Sequence, residues 1–74
     1  MSEPRFVLVG AGNIGGVHAE ALIAAGAAPA AVVEVDQVRL DEFGEKYGIA
    51  ARYTSLEAAL DGEPGATAVV LATP

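Results

Sequence analysis

Cysteine and tryptophan are absent from this sequence, and basic residues are scarce. Without cysteine, neither disulfides nor thiolate-bound metal can hold the fold, and a reducing, cytoplasmic setting is expected. Four Lys and Arg residues (Arg5, Arg39, Lys46, Arg52) stand against ten Asp and Glu, for a formal net charge of −6. That balance argues against non-specific affinity for nucleic acid or an anionic membrane surface. No apolar stretch approaches the ~20 residues of a membrane span. The opening Met1-Ser2-Glu3-Pro4-Arg5 has neither a basic n-region nor an apolar h-region, so it does not read as a signal peptide. Aromatic residues are only 5% of the chain.

What is present is small aliphatic residues and glycine. The 74 residues are 53% hydrophobic, with a mean hydropathy of +0.43, well above a disordered profile. A single domain of this size buries only about 60% of its unfolded surface, so marginal stability is expected.

The organising stretch is Phe6 to Gly15, FVLVGAGNIG. Phe6-Val7-Leu8-Val9 reads as a buried strand. Gly10-Ala11-Gly12-Asn13-Ile14-Gly15 then has the spacing G-x-G-x-x-G at a strand-to-helix turn, the context in which that spacing carries meaning. Gly10 permits a tight exit from the strand. Gly12 lets a pyrophosphate approach the backbone, and Gly15 lets the helix lie close to the strands. The amides around Asn13 and Ile14 are then free donors at the positive end of a helix. With so few cations, any phosphate must be held mainly by such backbone dipoles.

The remaining elements alternate. The first strand is read as Arg5 to Val9 and the first helix as Asn13 to Ala25, stopped by Gly26, with Ile14, Val17, Ala21 and Ala25 as its sheet-facing side, broadened by Leu22 and Ile23. Ala31 to Val35 reads as the second strand. Asp36 caps a second helix, Gln37 to Tyr47, whose buried side takes Val38, Phe43 and Tyr47 with Leu40 nearby and which Gly48 closes. Ala51 to Tyr53 is a short edge strand. Thr54 or Ser55 caps a helix from Leu56 to Leu60, and Thr67 to Leu71 is an apolar fourth strand after a glycine- and proline-rich loop. The order β-α-β-α-β-α-β predicts an α/β fold with a parallel sheet, strands ordered 3-2-1-4, and a ligand above their carboxyl ends.

A dinucleotide ribose calls for a carboxylate at the end of the second strand, about 20 residues past the glycines. Glu34 and Asp36 both qualify by count. Glu34 is preferred, because Asp36 is better placed as a helix cap. A carboxylate accepts from both ribose hydroxyls and repels a 2′-phosphate, and no cation directly follows Glu34, so NAD is expected over NADP. His18, one turn into the first helix, reads as a packing residue. No Ser/His/Asp set, metal cluster or poised carboxylate pair is apparent, so no catalytic residue is assigned.

Taken together, VLVGAGNIGGVHAEAL, AVVEVDQVRLDEFGEKYGI, YTSLEAAL and TAVVLATP resemble the N-terminal domain of the glucose–fructose oxidoreductase/inositol dehydrogenase/rhizopine catabolism (Gfo/Idh/MocA) family. The more specific parts are His18 three residues after Gly15, the phrase ending EKYGI, and the closing ATP. The resemblance implies a Rossmann domain followed by a larger substrate domain, and hydride transfer between a nicotinamide cofactor and an alcohol such as a sugar or cyclitol. By position it places Gly10, Gly12, Asn13 and Ile14 on the pyrophosphate and Glu34, where the family usually has Asp, on the adenosine ribose. Ala72, Thr73 and Pro74 would border the cofactor.

The family's Glu-Lys-Pro motif, its catalytic lysine and histidine, and its substrate domain have no counterpart in these residues. The expectation is therefore an incomplete dinucleotide-binding domain spanning 1–74, catalytically insufficient alone, with an apolar edge at the fourth strand prone to self-association. A non-enzymatic nucleotide sensor on the same fold is the second reading, and an FAD or other adenine-nucleotide site the third.

Overall fold

The structure, a computed structural model, describes residues 5–72, apart from the side chains of Asn13 and Ile14. Its elements are β1 (Phe6–Val9), α1 (Asn13–Ala24), β2 (Ala31–Val33), α2 (Gln37–Tyr47), β3 (Arg52–Tyr53), α3 (Leu56–Gly62) and β4 (Ala68–Leu71). All strand pairings are parallel and the order is β3-β2-β1-β4. The alternation of strand and helix requires this, since each helix carries the chain back to begin the next strand in the same direction.

Side chains alternate across the sheet and build a core on each face. Leu8, Val32 and Ala72 pack with Ala19 of α1 and with Leu40 and Phe43 of α2. Val7, Ala31 and Val33 pack on the opposite face with Ala59 of α3. Thus α1 and α2 cover one face and α3 the other.

Two helix faces differ from the expectation. Among the described side chains of α1, Gly15 and Ala19 are buried, whereas Val17 is 65% exposed and Ala21 and Ala25 are also exposed; Ile14 lies outside the described side chains. Apolar residues run right round this helix, so periodicity could not choose the contact side. The choice falls to Gly15, where a Cβ would collide with the Gly10 carbonyl. On α2, Leu40, Phe43, Gly44 and half-buried Tyr47 keep the i, i+3, i+4, i+7 spacing that faces a sheet. Val38 falls outside that stripe and is 68% exposed.

Boundaries moved for local reasons. β1 begins at Phe6 and β4 at Ala68; Arg5 and Thr67 meet one step before this first pair, the Thr67 amide donating to the Arg5 carbonyl at 2.9 Å and the Thr67 hydroxyl accepting from the Arg5 amide at 3.0 Å. β3 begins at Arg52, since Ala51 enters only by accepting from the Val32 amide. α1 ends at Ala24, and Gly26 turns the chain with a φ of +78°. β2 stops at Val33 and not Val35, and Val35 is 83% exposed. α3 continues to Gly62, where the Tyr53 ring packs so closely that a Cβ would strike its hydroxyl. Asp36 and Ser55 cap α2 and α3 with side-chain oxygens, and Gly48 ends α2 at a φ of +67°. Among the described residues, no helix is long and apolar enough to cross a membrane.

Candidate functional site

The sheet registers put the candidate residues on one rim. Val9 pairs with Val33 on one side and Leu71 on the other, and Val33 pairs with Tyr53. One step beyond this row, three amides extend the ladder: Gly10 N donates to Val33 O, Glu34 N to Tyr53 O, and Ala72 N to Val9 O. Glu34, Gly10 and Ala72 therefore leave the sheet side by side at its carboxyl edge. β1 and β4 are neighbours at the point where the strand order reverses, with α1 following β1 on one face and α3 leading into β4 from the other, which is where this architecture opens a crevice. The glycine turn stands at that point.

Each glycine of the turn meets a different demand. Gly10 has a φ of +106°, a conformation that side chains rarely adopt. Nothing lies within 4 Å of where a Gly12 Cβ would be, so this glycine leaves open space beside the backbone. Gly15 lies where backbone packs on backbone. Gly12 is the N-cap of α1, and no side chain bonds to that cap, whereas α2 and α3 are each closed by one. The first turn of α1 also carries no acidic residue. Its amides and dipole are thus left to attract an anion.

Glu34 faces this turn. Its Oε1 accepts from the Ala11 amide at 3.2 Å, and its Oε2 accepts from the Asp36 amide at 3.0 Å. Asp36 spends its own side chain on α2, Oδ1 accepting from Val38 N at 3.0 Å and Arg39 N at 3.2 Å. The two carboxylates that qualify by count differ in role: Asp36 caps α2, and Glu34 bridges the turns that follow β1 and β2. Sequence reasoning missed the bond from Glu34 to Ala11. No local pattern signals it, because the partners are 23 residues apart in the chain.

Ala72 is buried, and its methyl belongs to the α1/α2 core. Thr73 and Pro74 lie outside the described residues, as do the side chains of Asn13 and Ile14. His18 is half-buried on α1. A cleft of about 570 Å³ opens between α1 and α2 beside Ala11 and Gly12; Glu20 and Glu42 line it together with Arg39 and Lys46. Neither Glu34 nor Ala72 lines that cleft, and its charged lining is of mixed sign. Tyr47 packs under Gly16 and against Phe43, ring centroids 4.6 Å apart, which accounts for it as core. At the edge of the sheet the Tyr53 hydroxyl donates to Glu63 Oε2 at 2.8 Å. That bond, with lesser contributions from burial and the Glu63 charge, raises the phenol pKa above its ordinary value. Among the described residues, no group of three His, Cys, Asp or Glu could hold a metal ion.

A parallel sheet ordered 3-2-1-4, a glycine turn at its switch point and a carboxylate on the neighbouring strand end define a Rossmann-type dinucleotide-binding domain. Residues 4–74 match the model of the Gfo/Idh/MocA oxidoreductases, described as an oxidoreductase family with an NAD-binding Rossmann fold, and the chain belongs to that family. Among solved structures it is similar to a probable dehydrogenase from Thermotoga maritima, at 31% identity and a TM-score of 0.83 over 95% of this chain. It is also similar to an oxidoreductase from Agrobacterium radiobacter, crystallised with NAD+, L-tartaric acid and magnesium, at 32% identity and a TM-score of 0.85 over 99% of this chain. A third is the WlbA dehydrogenase from Chromobacterium violaceum, solved with NADH and UDP-GlcNAcA, at 32% identity and a TM-score of 0.79 over 97% of this chain. The chain spans 21% of the length of each of these three solved chains. A search of curated proteins finds no match.

Proposed function

We propose that these residues are the cofactor-binding part of an oxidoreductase that moves a hydride between NAD and an alcohol such as a sugar or cyclitol. The observation that carries this is the pairing of an uncapped helix start at Gly12 with the Glu34 carboxylate across the turn. In this reading Gly10, Gly12, Asn13 and Ile14 receive the diphosphate on backbone amides. Glu34 takes the adenosine ribose hydroxyls, and Ala72, Thr73 and Pro74 border the cofactor along the rim. The exposed Val35 beside Glu34 offers the adenosine an apolar contact. Substrate recognition and the proton-transferring residues belong to a further domain of the parent enzyme, a reading supported by relatives about five times as long as the match. Two relatives carry a hydroxy acid or a sugar nucleotide alongside their cofactor, which supports an alcohol-bearing substrate class. A cytoplasmic setting and homo-oligomerisation complete the proposal; Val69 and Leu71, exposed on β4, support the latter.

Calorimetric titration of the chain with NADH, NADPH and FAD tests the cofactor assignment. NADH is expected to bind most tightly, and Glu34→Ala is expected to shift the NADPH-to-NADH preference towards NADPH by about tenfold, as loss of a carboxylate that both accepts and repels requires. Preference for FAD, or an unchanged ratio in Glu34→Ala, would refute the assignment.

A further inference from the structure

Resting on that cofactor reading, we propose that Glu34 is also a positioning residue: its carboxylate holds the glycine turn in the shape that receives the diphosphate. The two oxygens grip amides on two different turns. Ala11 belongs to the turn after β1, and Asp36 to the turn after β2, with Glu34 half-buried between them. Gly10 and Gly12, on either side of Ala11, have little intrinsic conformational preference, so the turn needs an external tie to stay in one shape. Its nearby backbone ties come from the sheet at Gly10 and from α1 at Gly16, whose amides donate to Val33 and Gly12. Between those two points Glu34 supplies the anchor. The tie does not compete with the ribose, because an ionised carboxylate offers about four acceptor directions and the two amides use two.

The idea has a distinctive sign. If Glu34 acted only on ribose, a ligand without ribose hydroxyls would not register its loss. If it acted only as a charge near the anion seat, removing that charge would tighten diphosphate binding. If it holds the turn, breaking the tie weakens the binding of such a ligand. The variant Glu34→Gln keeps the shape but has one accepting oxygen, so it cannot hold both amides. Glu34→Asp keeps the charge but is one methylene shorter, which keeps the local bond to Asp36 and withdraws the carboxylate from Ala11.

The test uses 2′,3′-dideoxyadenosine diphosphate as probe, with NADH in parallel, titrated by NMR into the natural chain and both variants. Ala11 amide exchange is read without ligand. Both variants are expected to bind the dideoxy probe about fivefold more weakly, the loss of one net hydrogen bond, with faster Ala11 exchange and unchanged circular dichroism. Equal or tighter probe binding by both variants would overturn the inference, as would unchanged Ala11 exchange, while leaving the NAD reading intact. Failure of the natural chain to bind either ligand would instead overturn the cofactor reading, and this inference with it.

Discussion

Replacing Gly12 with alanine separates binding from folding. Gly12 sits at φ −89° and ψ −162°, extended backbone that alanine adopts without strain. Nothing in the structure lies within 4 Å of the added methyl. Reduced freedom of the unfolded chain favours the alanine by roughly 0.4–1 kcal/mol. The poorer fit of alanine than glycine at an N-cap opposes this by a similar amount, roughly 0.5–1 kcal/mol. The net effect on stability is therefore within about 0.5 kcal/mol of zero. Binding is different, because the methyl projects into the space that the diphosphate needs if it is to meet the first amides of α1. A hydrogen bond to a charged group contributes roughly 1.5–3 kcal/mol, so losing one lowers NAD affinity by roughly ten- to a hundredfold. Urea denaturation measures the first quantity and calorimetric titration with NADH the second. Undiminished affinity at unchanged stability would refute the reasoning, for the diphosphate could not then be lying against Gly12.

Gly15→Ala should do the reverse, costing stability first. The new methyl meets the Gly10 carbonyl, with its carbon at 3.0 Å, and both partners are backbone that cannot swing aside. Overpacking of this kind costs roughly 1–3 kcal/mol, against a total of roughly 4–11 kcal/mol for a chain of 74 residues; an unchanged urea midpoint would contradict it. In a Tyr47→Phe chain Tyr53 is the sole tyrosine, and its absorbance should titrate above the ordinary phenol value of 10.0. Because the folded-state pKa is raised, the stabilisation from the bond to Glu63 is present below pH 10.0 and is lost as pH rises through the folded-state value. Glu63→Gln should bring the midpoint down, and an unmoved midpoint would show that the bond is not made in solution.

Element order, sheet order and the glycine turn were legible in the residues themselves, because each rests on local chemistry. G-x-G-x-x-G between an apolar tetrad and a helical stretch marks a strand-to-helix turn, Asp36 and Gly48 mark the ends of α2 by capping alone, and alternation of short strands with helices leaves no room for hairpins. Which face of α1 lies on the sheet was not legible. That helix is apolar on all sides, and the contact was decided by the closest approach of two backbones, at Gly15 and Gly10. Val38 is exposed because it falls outside the Leu40, Phe43, Gly44 and Tyr47 stripe of α2, and Val17 because Gly15 and Ala19 turn the other side of α1 to the sheet. Division of labour between Glu34 and Asp36 was half legible: counting nominated both, and cap chemistry singled out Asp36. Only the tertiary fold, by setting β2 beside β1 in register, brought the Glu34 carboxylate onto the Ala11 amide. Residue types and spacing determined that α1 starts at a glycine with no side-chain cap; the alignment of strand ends determined that Glu34 meets the turn beside it.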